Sequence, residues 1–183
     1  VDHLDRAASQ VDLAPRLAPL LDRGGCYIAA CRTADWPAWA TSLPGCNAIS
    51  LPALPPSVLV DALDDTLPPQ RARLSLALLA RDARIVALAA LPVGLAALLK
   101  TAQAANTPAE MSRAAVVERA ATLLVGGSIP DTWTTVLGRR ALALALGEEA
   151  PALDPDTLHS LRRAGLLLPD GSFTYPLLAE HFA

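Results

Sequence analysis

From residue 54 onward the apolar positions fall at helical spacing, and prolines rather than polar runs break the pattern. Pro52-Ala-Leu-Pro-Pro56 and Pro68-Pro69 stand at its joints. There a proline opens a helix without losing a hydrogen bond, because the first-turn amides have no helical acceptor. Helices are therefore predicted over 57–66, 70–81 and 83–104, the last kinked or split at Pro92. Another is predicted over 108–124, with Thr107 as N-cap, Pro108 in the first turn and Glu110 completing a capping box. Gly126-Gly127 closes it. Residues 131–183 read as helix, helix, two short strands around Asp170-Gly171 and a final helix, since Asp-Gly between apolar runs favours a hairpin.

The first fifty residues follow a different pattern. Val11, Leu13, Leu17, Leu20 and Leu21 predict a surface helix over 9–22, ended by Gly24-Gly25. Cys26-Tyr-Ile-Ala-Ala-Cys31 is a short apolar run of the kind that forms a strand buried on both faces of a parallel sheet. Arg32 to Pro44 read as a loop with a helical turn near Trp36 and Trp39, and Asn47-Ala-Ile-Ser-Leu51 as a second short strand. The expected fold class is mainly α with a small α/β part. Three regions are expected: α/β over 1–53, helical over 54–127, and a mixed C-terminal domain over 128–183.

Composition supports the helical bias. Hydrophobic residues make up 52% of the 183, mostly Ala and Leu, which are strong helix formers, and aromatics only 4%. The net charge of -3 provides no basic field for a phosphate backbone and argues against nucleic acid as a partner. Cys26, Cys31 and Cys46 are odd in number and not in CxxC spacing, so buried thiols in a reducing, cytoplasmic setting are expected. No signal-peptide pattern is visible. The longest apolar run, Ile85 to Leu99, contains Pro92 and falls short of the ~20 residues that a spanning helix needs, so it reads as buried protein. The chain starts at Val1 and ends in an apolar helix without a stop signal, so both ends read as cut.

Chemistry-bearing residues are few. Asp2 and Asp5 open the chain three residues apart. A carboxylate at the end of a buried strand can hold Mg²⁺, and a second can orient an attacking water; at a frayed end the same residues are solvated charges. The one lysine, Lys100, precedes Thr101 and follows Gly94 at phosphate-loop spacing. Leu99, however, occupies the position that needs a glycine for close approach of backbone amides to phosphate. The stretch reads as a helix end with a lysine reaching to solvent. His3, His159 and His181 form no HExxH, no GxSxG is present, and Cys31 reads as a structural cysteine. Arg162 and Arg163, on a helix expected over 155–164, would be the residues to enter a DNA groove, but they read more simply as a solvated face.

Taken together, the chain resembles the second half of a STAND-class NTPase module of the NACHT type. Val1-Asp2-His3-Leu4-Asp5 looks like the end of a Walker B strand, which implies Asp2 as the Mg²⁺ ligand and Asp5 as the second catalytic acid. His3 stands where the family has a small residue, and Arg6 where it often has Glu. Tyr27-Ile-Ala-Ala-Cys-Arg32-Thr33 looks like the sensor 1 strand, implying Arg32 near the γ-phosphate. Ile49-Ser-Leu-Pro-Ala-Leu54 resembles the strand leading into the helical domain. The Ala89–Leu99 stretch resembles the helical-domain motif whose proline, here Pro92, packs by the nucleotide base. Phe173-Thr-Tyr175 with Glu180 resembles the winged-helix signature, Tyr175 replacing the histidine that meets the β-phosphate of ADP.

The resemblance implies a remnant of a parallel-sheet nucleotide-binding core, then a helical domain, then a winged helix. It implies an ATP/ADP-dependent switch with Mg²⁺ that controls oligomerisation or effector activation in bacterial defence or regulation. The implied partners are an upstream half carrying the phosphate loop, sensor and effector domains, and further copies of the protein, with no nucleic acid or membrane. The 183 residues alone are expected to show no ATPase activity. Two alternatives stay open: a non-hydrolysing interaction scaffold, supported by His3, Arg6 and Tyr175, and a winged-helix DNA-binding regulator, supported by the 131–183 pattern.

Overall fold

The computed structural model describes residues 47–183, with Pro19, Pro37 and Ala40 as isolated positions before them. Apart from those three positions, the predicted helix over 9–22, the strand over 26–31 and the turn near the tryptophans lie outside the described residues. The chain divides into two compact units, 1–52 and 53–183. Asn47 to Leu51 form no strand; they are exposed, with no paired neighbour among the described residues to satisfy a ladder.

The second unit is helical. Its eight helices are α1 (Pro56–Thr66), α2 (Pro69–Arg81), α3 (Ala83–Ala89), α4 (Pro92–Ala104), α5 (Arg113–Val125), α6 (Asp131–Ala145), α7 (Pro155–Arg163) and α8 (Pro176–Phe182). Proline occupies the first turn of α1, α2, α4, α7 and α8, where its fixed φ is already helical.

The predicted 83–104 helix is split, not kinked. α3 ends at Ala89, α4 starts at Pro92, and their axes differ by 111°. The Leu54 amide donates to Ala90 O at 2.7 Å and ties the start of the bundle to this corner. Gly94 lies inside the corner: a Cβ there would sit 1.9 Å from Leu88 O. Gly94, Ala97, Leu98, Thr101 and Ala102 form the buried stripe of α4, at the spacing of one helix face. α5 buries Val116, Val117, Ala120 and Ala121, and α4 and α5 make the most extensive helix pairing. No single helix among the described residues is long and apolar enough to cross a membrane.

α5 starts later than its sequence suggests. Thr107 Oγ1 does accept from the Glu110 amide (3.4 Å), and Glu110 Oε2 from the Asn106 amide (2.7 Å). Glu110 thus reaches past the amide of Thr107 itself, so the predicted capping box does not form, and the two bonds close only one turn, which buries Met111. Ser112 then takes an extended conformation and caps the real helix, its Oγ accepting from the Ala115 amide at 3.2 Å. At the other end Gly126 adopts φ +77° and its amide reaches back to Thr122 O, as expected for a helix closed by glycine.

Residues 128–183 hold α6, α7 and α8. The hairpin expected around Asp170-Gly171 is reduced to one antiparallel bridge, Leu167 with Phe173, so no strand is present among the described residues. Leu168 and Ser172 share a hydrogen bond across the turn, and Thr174 N donates to Leu166 O. The Gly171 amide donates to Leu168 O at 2.9 Å, so Pro169 and Asp170 are the turn's central residues; outward of the bridge α7 ends at Arg163 and α8 starts at Pro176, which leaves no extended chain for a longer ladder. The turn is held from outside. Arg140 on α6 donates from Nε to Gly171 O (2.7 Å) and from Nη1 to Pro151 O (3.1 Å). Arg140→Met keeps the apolar stem and removes both bonds. It is expected to cost about 2 kcal/mol in urea denaturation, the range for hydrogen bonds from a charged donor.

The core runs through all eight helices. Leu59 and Leu63 (α1), Ile85 (α3), Leu98 (α4), Val116 (α5), Leu137 (α6), Leu161 (α7) and Leu178 (α8) are almost fully buried. Ser75, fully buried on α2, is accommodated because its hydroxyl donates to Arg71 O at 3.0 Å.

Candidate functional site

Of the residues singled out from the sequence, Asp2, Asp5 and Arg32 lie outside the described residues. Pro92 is exposed at the first position of α4. Tyr175 is half-buried and stands at the N-cap of α8, with extended backbone. The two thus mark the starts of different helices, and α8 packs on α5 and α6. His159 and Arg163 are exposed on α7, and Lys100 is exposed on α4. Among the described residues no group of three or more His, Cys, Asp or Glu side chains is placed to hold a metal ion.

What the structure does bring together is charge around Glu180. This residue is on α8, and Arg84 Nη1 on α3 donates to its Oε1 at 2.6 Å across 96 residues of sequence. Arg113 Nη1, at the start of α5, lies 3.5 Å from Glu180 Oε2 and 3.5 Å from Asp82 Oδ2. Asp82 Oδ1 in turn lies 3.6 Å from Arg84 Nε. Two acids and two arginines therefore alternate around a closed ring, each acid facing both arginines.

Asp82 is the fixed corner of this ring. It ends α2 and caps α3, accepting from the Arg84 amide at 3.0 Å. Burial pushes its pKa up, but the amides of Arg84 and Ile85 and the charges of Arg84 and Arg113 outweigh that and hold it below the usual aspartate value. Its side chain is 19% exposed, against 40–55% for the other three members. Asp82 is thus held by local backbone, whereas Glu180 is held by the ring and by the helix that carries it.

That helix is seated on apolar contacts. Leu177 and Leu178 are buried, and Phe182 stacks on Phe173 at 6.2 Å between ring centroids. His181 meets Phe182 edge-on at 5.1 Å. A groove with a cavity volume of about 530 Å³ opens beside this end, lined by Glu118, Ser128, Ile129, Thr134, His181 and Phe182. A second cleft, about 290 Å³, lies between the end of α4 and α5, and Thr101 Oγ1, buried without a hydrogen-bond partner, is on its wall.

Asp82, Arg84 and Arg113 are not legible as functional residues from their spacing. Asp82-Ala-Arg84 shows only a cap signal, and nothing local pairs either arginine with a glutamate near the C-terminus. Glu180 belongs to the signature-like segment, but the sequence does not say what it meets. Comparison of the chain with family models, with curated proteins and with solved structures finds no match.

Proposed function

We propose that the chain is the C-terminal half of a STAND-type nucleotide switch: a helical domain, then a module that the resemblance expects as a winged helix and of which the described residues show three helices and one antiparallel bridge. The observation that carries this reading is the seating of α8. The segment that begins at Tyr175 and includes Glu180 is held against α3 and α5 by charge and against α5 and α6 by packing. A switch of this type needs such a closed arrangement, in which residues at the start of the C-terminal helix are fixed relative to the helical domain.

In this reading ATP or ADP with Mg²⁺ is held by a phosphate loop outside the 183 residues. Asp2 would bind the metal, Asp5 would orient water, and Arg32, Pro92 and Tyr175 would contact the nucleotide. Tyr175 would serve through its phenolic hydroxyl, a donor able to meet a phosphate oxygen. Nucleotide can bias the closed state only through contacts that differ between closed and open forms, and these three residues are the proposed ones. The full-length native protein, denatured and assayed for released nucleotide, tests the reading: ADP or ATP near one per chain is expected, and none refutes it.

A second reading, an interaction scaffold that binds no nucleotide, is favoured by one observation. Leu142 and Leu146, one turn apart on the same face at the end of α6, are 51% and 63% exposed, an apolar pair of the kind that partners cover.

A further inference from the structure

The ring closes through a single residue of the C-terminal segment. Asp82, Arg84 and Arg113 all belong to the region before residue 127, and Glu180 alone comes from α8. Removing Glu180 leaves two arginines facing one aspartate. α8 itself is short, seven residues, and too short to be stable as an isolated helix. It stays helical only while it is seated. Its seat has two parts: a non-directional apolar part at Leu177 and Leu178, and a directional charged part at Glu180.

We infer that the Asp82–Arg84–Glu180–Arg113 ring is an ionic latch that sets the opening equilibrium of α8, so that the C-terminal segment is released by loss of one carboxylate or by screening. The inference deepens the switch reading by naming the contact that regulates the closed state, and it rests on that reading for its biological use. The latch itself needs no nucleotide. Opening frees Glu180 first, because Asp82 remains fixed by the α3 cap. Leu177 and Leu178 then lose their cover, and the segment carrying Tyr175 is uncoupled from α3 and α5.

The magnitude follows from the kind of contact. All four members are partly in water, so each pair is modest, but Glu180 makes two at once. Losing both is expected to raise the open fraction of α8 about five-fold, within the range measured for exposed pairs. Raising NaCl from 0.1 to 1 M shortens the screening length from about 10 to about 3 Å and should act in the same direction.

The test is amide hydrogen exchange of residues 177–183 in the 183-residue chain, without nucleotide, for the parent sequence, Glu180→Gln and Arg84→Gln. Exchange of α4 in the same samples reports global folding. The latch predicts faster exchange in α8 for both variants, little change in α4, and a salt effect in the parent that is weaker in either variant. Equal α8 exchange in all three proteins would overturn it, as would an undiminished salt effect in Glu180→Gln. Absence of nucleotide from the full-length protein would refute the switch reading and leave this result untouched.

Discussion

Gly94→Ala is expected to destabilise the helical unit by about 3 kcal/mol or more, a large effect for adding one methyl group. On an exposed helix the same change would stabilise, since alanine is the better helix former by about 1 kcal/mol. Here the sign reverses. The new Cβ would lie 1.9 Å from Leu88 O and 2.4 Å from Leu88 C, and both are backbone atoms that no rotamer change can move. Ala89, Ala97 and Leu98 around the corner are fully buried, so α3 and α4 have no slack in which to part. Urea denaturation of the variant should show a lower midpoint. A midpoint equal to the parent's would mean that the α3–α4 corner is not packed as described.

Leu98→Ala is expected to cost about 3 kcal/mol through the opposite fault, a cavity. Leu98 is fully exposed to neither solvent nor groove, having no accessible surface, and it sits in the α4 stripe that meets α5. Its neighbours on the stripe, Ala97, Thr101 and Ala102, are too small to collapse into the space. Thermal unfolding of Leu98→Ala and Leu98→Met separates the causes. Met nearly conserves volume and should cost less than about 1.5 kcal/mol, whereas a comparable loss in both would point to shape rather than cavity.

The two predictions bear on how the sequence encodes this fold. Several helix starts were legible because proline marks them: Pro56, Pro69 and Pro155 each occupy a first turn, Pro92 splits the predicted 83–104 helix, and Pro108 misleads, since its helix starts at Arg113. Gly94 is present in the sequence as a candidate phosphate-loop glycine, yet its structural reason is the close approach of α3, a tertiary fact without a local signal. Thr107 and Ser112 compete as caps five residues apart; the first closes an isolated turn, and the second starts the helix. Asp170-Gly171 correctly marks a turn, with Gly171 at φ +80°, but α7 and α8 lie so close on either side that the strands are limited to one bridge. Asn47–Leu51 has a strand-like composition and forms none among the described residues, since composition cannot supply a pairing edge.

The charged ring was the least legible feature. Its longest pairing spans 96 residues, and its four members are ordinary surface residue types. Only the packing of α8 against α5 brings Glu180 to Arg113. Of the nucleotide contacts implied by resemblance, Pro92 has a sufficient structural role in opening α4, and Tyr175 stands at the start of the helix that the ring holds. Their proposed ligand chemistry therefore depends on what the full-length protein binds, not on the fold.

The most direct measurement is nucleotide content. The full-length native protein is purified without added nucleotide, denatured, and its released small molecules are resolved by ion-exchange chromatography. The switch account predicts ADP or ATP at near one per chain, reduced when Tyr175 is replaced by Ala. An empty protein whose melting is unchanged by Mg-ATP would contradict the account and leave the scaffold reading, with the exposed leucines of α6 as its surface.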